Sequence, residues 1–315
     1  MLDPRRAACS AKIFAVLLLL TLLLYPSTGA AQDSLPSVME RTGTFRWRGL
    51  TESSGVAVSR NHPGILWTHN DSGDKPVIYA VNLAGDLIAA YSVRGARAVD
   101  WEDIALSKCK GGTEYCLYVA DTGDNSQKRK NVSIYVVPEP DPTDRQPTDT
   151  LATEPALEVR FRYPDGPHDT EAILVDSTGK ITLITKGRSG AILRFAVRHD
   201  VSRDSSVAKL VDTLRIVPLR TLGRLVTGAS LSPNGRRVVI RTYSELYFFA
   251  KKDDDRLVPD GVPCWLGAAE PQGEGVAFLD DTTLVLTSES LAGQDGTIFR
   301  VRCSHTGNST KSRSK

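Results

Sequence analysis

Ser54-Gly55-Val56-Ala57 returns as Glu102-Asp103-Ile104-Ala105, Glu171-Ala172-Ile173-Leu174, Thr227-Gly228-Ala229-Ser230 and Glu274-Gly275-Val276-Ala277. Each copy runs polar or acidic, small or polar, apolar, then apolar or small. Successive copies start 48, 69, 56 and 47 residues apart. Self-similarity at about fifty residues is the mark of a repeat architecture. Each copy is followed by a turn and a second apolar run: ILWTHND, CLYVADT, KITLITK, RRVVIRT and TTLVLTS. A third run comes next: VIYAVNL, VSIYVVP, AILRFAV, ELYFFAK and TIFRVRC. Their lengths and β-branched content read as strands, with turn signals such as Ser232-Pro233-Asn234-Gly235 between them.

A fourth, more polar strand fits at Leu87–Val93, Ala156–Arg162, Ala208–Leu214 and near Leu257. Four strands in about fifty residues make one propeller blade. The reading is therefore an all-β fold, a β-propeller of about five four-stranded blades, with five favoured over six. The fifth copy stops after its third strand. Thr44-Phe45-Arg46-Trp47-Arg48-Gly49-Leu50 alternates, has no blade of its own, and is expected to close the ring as the missing outer strand. A β-sandwich does not explain five matched copies, and a β-helix would have a shorter period.

The segments SGVAV (54–58), LWTHNDSGD (66–74), IYAVNLAGDL (78–87), DWEDIAL (100–106) and LYVADTGDN (117–125) resemble secreted bacterial propellers. These include the SdiA-regulated periplasmic family and the esterase-like, phytase-related propellers. The resemblance covers about residues 45–300 and is sharpest in the first two blades. It implies a propeller fold, export and, in some relatives, bound calcium. It transfers no catalytic residue.

Arg5, Arg6 and Lys12 precede an apolar stretch from Ile13 to Leu24, and Pro26-Ser27-Thr28-Gly29-Ala30-Ala31 follows. That succession is the layout of a signal peptide over residues 1–30, cleaved near Ala30 or Ala31. An uncleaved anchor is the rival reading, but an apolar run of about twelve falls short of the roughly twenty residues that span a bilayer. The propeller is then expected over 31–303, with a disordered tail over 304–315, in a periplasmic or secreted monomer that does not span the membrane. Of 39 Lys and Arg, loss of Arg5, Arg6 and Lys12 leaves 36; of 37 Asp and Glu, loss of Asp3 leaves 36. A near-neutral mature chain lacks the basic excess that phosphate backbones require, which argues against a nucleic-acid partner.

Removal of Cys9 leaves Cys109, Cys116, Cys264 and Cys303. An even count in an exported chain favours two disulfides. Cys109 and Cys116 flank a turn-like Lys-Gly-Gly-Thr-Glu-Tyr and pair naturally; Cys264 and Cys303 then pair by elimination. Zinc is disfavoured, because no C-x-x-C occurs and no His stands at ligand spacing.

In a blade, the start of the innermost strand and the end of the second strand lie at the same face. Glu102, Glu171 and Glu274 should therefore ring one mouth of the channel with Ser54 and Thr227, and Glu52 lies two residues before Ser54. The second strands end in His69-Asn70-Asp71-Ser72-Gly73-Asp74 and Ala120-Asp121-Thr122-Gly123-Asp124-Asn125, and elsewhere near Lys186, Arg241 and Glu289. The expected ligand-binding set is Glu52, Glu102, Glu171, Glu274, His69, Asp121, Lys186, Arg241 and Glu289. The expected metal set is Asp71, Asp74, Asp121, Asp124, Glu102 and Glu274. Asp and Gly are ordinary turn formers, and strand-start acids can simply be solvated. Carboxylates crowded about one mouth nevertheless repel unless a cation, proton or base offsets them, and hard oxygen ligands favour calcium.

No G-x-S-x-G, H-E-x-x-H or P-loop is present. The sequence reading is a module binding a small polar molecule, glycan or partner protein at this mouth. A hydrolase of phosphoester, ester or glycoside substrates is the alternative.

Overall fold

The computed structural model describes residues 35–142, 150–198 and 206–303. The expected signal peptide and tail lie outside them. Every regular element described is a strand, apart from one 3-10 turn at Arg220–Leu222. The strands form five sheets, the five blades of a propeller.

The innermost strands are Ser53–Val58, Trp101–Lys108, Thr170–Val175, Val226–Leu231 and Gln272–Phe278. Each pairs antiparallel with the next strand in sequence. Five apolar clusters hold the ring, one between each pair of neighbouring blades. Trp67 and Trp101, both essentially fully buried, fill the joint between blades 1 and 2. Ser54 Oγ donates to Glu102 O at 2.7 Å and Thr227 Oγ1 to Glu274 O at 3.0 Å. These two repeat hydroxyls therefore tie one blade to the next.

The count of four strands per blade needs correction in three sheets. Thr150–Ala152 adds a parallel strand to the edge of blade 1, and Ser206–Val207 does the same on blade 2. Cys264–Trp265 makes a short extra pairing in blade 4. All three are pieces of connecting chain that satisfy the open ladder of a blade edge.

In blade 5 the outer strand is Pro36–Thr44, paired antiparallel with Thr297–Cys303. The expected strand over Thr44–Leu50 is a connector instead, turning at Leu50 N to Trp47 O. Its alternation comes from anchoring: Phe45 and Leu50 are buried in the cluster between blades 5 and 1. Both expected disulfides are present. Cys109–Cys116 closes the hairpin of blade 2, and Cys264–Cys303 joins blade 4 to blade 5 across 39 residues of sequence.

One irregularity positions the site. In all five blades the ladder between the first and second strands shifts register near its mouth end, between 53/56, 101/103, 170/172, 226/228 and 273/276. Such a bulge bends a strand and re-aims its side chains. Glu102 and Asp103, adjacent in sequence, both turn toward the axis as a result.

Candidate functional site

The first strands begin where the second strands end: Ser53 faces Asn70, Trp101 faces Asp121, Thr170 faces Thr185 and Gln272 faces Glu289. Glu102, Glu171 and Glu274 are all buried there. Two more carboxylates join them, Asp100 and Asp169, each two residues before a repeat glutamate.

These groups form two overlapping triplets. In Asp71, Asp100 and Glu102, one oxygen of each lies within 4.8 Å of the others; the same holds for Glu102, Asp169 and Glu171. The second triplet carries its own cations. Lys186 Nζ is 2.7 Å from Glu171 Oε1, and Arg188 Nε is 2.6 Å from Asp169 Oδ2. Asp169 Oδ1 also accepts Asp124 N at 2.9 Å.

Among the described residues the first triplet has no ion pair. Asp71 Oδ1 accepts only the neighbouring Ser72 N, and Asp100, 9% exposed, has an Oδ1 with no hydrogen-bond partner. Gly123 walls this pocket. A Cβ at that position would lie 2.0 Å from Glu102 Oε1 and 2.6 Å from Asp100 Oδ2, so no other residue fits without displacing the carboxylates.

Burial dominates the electrostatics. It pushes Asp100 up to about 6, helped by Asp71 and opposed by Arg129. It raises Glu102 well above the usual carboxylate range, with Glu171 and Asp71 adding to it. Burial pushes Glu171 upward as well, and Lys186 beside it opposes the rise. Burial works against the Lys186 charge too, but Glu171 and Glu102 more than offset it, and the ammonium is held firmly. A low-dielectric cleft crowded with like charge keeps protons unless a cation takes their place.

A separate cluster lies on blade 5. Gln272 Nε2 donates to Glu274 Oε1 at 3.0 Å and to Glu289 Oε2 at 2.6 Å. Burial, Asp71 and Glu52 raise Glu289 to about 7. Glu52 itself is exposed and precedes the first strand; its backbone O accepts Asp71 N.

Several expected site residues are occupied elsewhere. Asp121 pairs with Arg129 at 2.8 Å and accepts Asp100 N, so it braces the cluster and is not an open ligand. Asp124 Oδ2 accepts Arg129 N, and Asp74 accepts Asn70 Nδ2 and Lys75 N. Glu274 is tied to Gln272 and stands outside both triplets. Arg241 is fully buried against Glu270 and donates to Gly275 O and Thr287 O at 2.7 and 3.0 Å. It is a clamp between blades 4 and 5, and Gly273 leaves the space for its guanidinium. His69 is buried edge-on to Trp101, its Nδ1 2.9 Å from Asn70 O, and burial lowers it to about 4. It stays neutral near pH 7.

Asp103 was not singled out by sequence and proves central. It is fully buried, and its carboxylate accepts Ile104 N at 2.8 Å, Ile173 N at 3.0 Å and Ala229 N at 3.5 Å. Three blades are thus gathered on one side chain across the channel. The other inner strands carry Gly55, Ala172, Gly228 and Gly275 at this level; a Cβ on Gly55 would lie 2.8 Å from Asp103 Oδ1. The missed triplet members did have a signal. Asp100-x-Glu102 and Asp169-x-Glu171 repeat a same-face spacing in consecutive blades.

The sequence matches no protein-family model and no curated protein. Among solved structures, the chain is similar to the PQQ-bound aldose sugar dehydrogenase of Streptomyces coelicolor, with 12% identity, a TM-score of 0.51, and 86% of this chain covered against 100% of that one. A glucose dehydrogenase (11% identity, TM-score 0.47, 85% and 100% covered) and a putative gluconolactonase (12%, 0.42, 87% and 95%) are more distant in shape. At such identities the likeness shows a β-propeller and nothing about chemistry.

Proposed function

We propose that this protein is an exported propeller that binds a small polar ligand at its acidic mouth through a divalent cation, calcium, held by Asp71, Asp100 and Glu102. The observation that carries the reading is the contrast between the triplets. Asp169 and Glu171 each have a basic partner, whereas Asp100 keeps a buried oxygen with none. An unpaired buried oxygen costs about 1–3 kcal/mol, and a cation among three carboxylates relieves it. All the donors are hard oxygens, which suit calcium better than zinc.

Calcium takes six to eight oxygen ligands. Three carboxylates, even if some bind through both oxygens, leave positions for water or for oxygens of a ligand, such as those of a glycan, phosphate or carboxylate. Two disulfides fit an oxidising compartment, and no helix among the described residues is long and apolar enough to cross a membrane.

A hydrolytic role has one observation in its favour. Glu289, at the edge of the mouth and held near neutrality by burial and by Asp71, has the poise of a general acid.

Thermal unfolding with calcium and with chelator tests the cation. Calcium should raise the melting temperature of the wild type and leave that of Asp100→Asn unchanged. A wild-type melt indifferent to millimolar calcium and to chelator overturns the cation reading.

A further inference from the structure

Around the buried acids, the exposed charge of the mouth face is unevenly spread. Stretches that lead into an inner strand or leave a second strand stand on this face. From blade 1 into blade 4 they are 93–100, 122–131, 163–169, 186–192 and 214–225. Their exposed cations are Arg94, Arg97, Lys128, Lys130, Arg215 and Arg220, and their one exposed acid, Asp165, is paired with His168 at 2.9 Å. Neighbouring Arg129, Arg188 and Arg224 meet carboxylates at 2.8, 2.6 and 3.8 Å. The exposed cations have no such partner among the described residues. On blades 5 and 1 the face is mixed, with Glu52, Asp74 and Asp295 among Arg46, Arg48 and Lys75.

The basic half also shows aliphatic side chains to water. Val99, Val217 and Leu222 are 51, 73 and 56% exposed, and Leu35 apart no large apolar side chain described is more so. Each follows an exposed arginine by two residues: Arg97-x-Val99, Arg215-x-Val217 and Arg220-x-Leu222. The connectors that carry them are anchored. Trp101 Nε1 donates to Arg97 O at 2.8 Å and Ser244 Oγ to Leu222 O at 3.0 Å. Leu214 and Ile216 are buried in the cluster between blades 3 and 4, which turns Val217 outward. A single exposed aliphatic residue is ordinary. Three on one half-face, each beside an unpaired arginine, make the composition of an interfacial surface.

We propose that this half of the mouth face docks on an anionic lipid surface. Val99, Val217 and Leu222 would enter the boundary between headgroups and acyl chains, and the arginines and lysines would meet lipid phosphates. Binding of this kind adds buried apolar area to attraction for anionic lipid, and both ingredients are present on the same connectors. A soluble polyanion would engage the cations and leave the aliphatic side chains in water. The surface is separate from the calcium cluster, whose Asp100 and Glu102 are buried in the channel.

Co-sedimentation of the exported protein with vesicles tests the docking, in chelator so that calcium plays no part. Vesicles of phosphatidylcholine with about one-third phosphatidylglycerol should bind at least about tenfold more tightly than phosphatidylcholine alone. Arg97→Gln with Arg220→Gln should weaken binding about twentyfold, since each cation near such a surface contributes about fivefold. Val217→Ser with Leu222→Ser should weaken it by about tenfold. Should circular dichroism show that pair to be misfolded, Val99→Ser is expected to act in the same direction. Leu210→Ser with Val211→Ser, exposed on the outer strand Lys209–Thr213 of blade 3, should change nothing. All variants share one N-terminus, so its contribution cancels. No binding in chelator, equal binding to both vesicles, or an equal loss in the Leu210 and Val211 pair overturns the assignment. Indifference to the aliphatic substitutions also overturns it, and would make the cations a site for a soluble polyanion.

Discussion

Asp100-x-Glu102 and Asp169-x-Glu171 are the same motif in consecutive blades, and the protein balances their charge in two different ways. In blade 3 the second strand runs out into Lys186-Gly187-Arg188, and these cations sit 2.7 and 2.6 Å from Glu171 and Asp169. In blade 2 the corresponding segment is Thr122-Gly123-Asp124. The cation of this blade, Arg129, is consumed by Asp121 and by Gly123 O. One acidic pair is a closed ionic assembly, and the other is left open. The motif provides charge; whether that charge is structural or available to a ligand depends on what the neighbouring strand delivers.

The contrast breaks most visibly at Lys186. Lys186→Met should destabilise the fold by about 3–5 kcal/mol, the usual result of removing one partner of a buried pair. Adding Glu171→Gln should recover most of the loss. A denaturant titration showing Lys186→Met to be neutral would mean that Glu171 is not held by this pair.

Aspartate-to-asparagine changes at equivalent positions should have opposite consequences. Asp169→Asn forfeits the Arg188 pair and should lower stability by about 1–3 kcal/mol. Asp100→Asn removes like charge without breaking any ion pair, so calcium-free stability should hold or rise slightly. Equal losses at both positions would erase the distinction between the triplets.

Without calcium, stability should fall as pH rises. Asp100 and Glu289 have folded values near 6 and 7, against ordinary values of 3.8 and 4.5. The folded state therefore holds more protons than the unfolded chain between about pH 4 and 7, and stability declines across that window. The loss is on the order of 1–3 kcal/mol for Asp100. Calcium, taking the place of the Asp100 proton, should remove the Asp100 part of that decline. A melting temperature that climbs from pH 5 to 8 in chelator would show the cluster to be ionised and already balanced.

The smallest effect concerns Gly123. Gly123→Ala should reduce calcium stabilisation, because a Cβ there enters the space of Glu102 and Asp100. The corresponding blade 3 residue, Gly187, has φ of 91° and packs against Ile192 and Pro218. Gly187→Ala should therefore lower stability with calcium binding intact. Melts of both variants with and without calcium separate the two roles.

Much of this was readable from the chain. Five copies of a polar-small-apolar unit, each followed by two β-rich runs, require five equivalent sheets, since the period of a repeat is a local property of sequence. The glutamates at the copies' first position had to gather at one face for the same reason. An even cysteine count, the turn-like stretch between Cys109 and Cys116, and elimination were enough for both disulfides. What lay beyond reach depended on contacts between blades. Arg241 and Lys186 end equivalent strands and look alike in sequence, yet one is a buried clamp on Glu270 and the other the counterion of Glu171. His69 ends its strand beside Asn70 and turns into the wall against Trp101. The bulges that bring Glu102 and Asp103 to the axis together, against strict strand alternation, are set by the pairing register. The closing of the channel by Asp103 needs amides from two other blades, 70 and 126 residues away. Sequence determined which charges the protein carries and the level of the channel at which they stand; partner distances and burial, which exist only once the ring is closed, decided which of them remain unpaired.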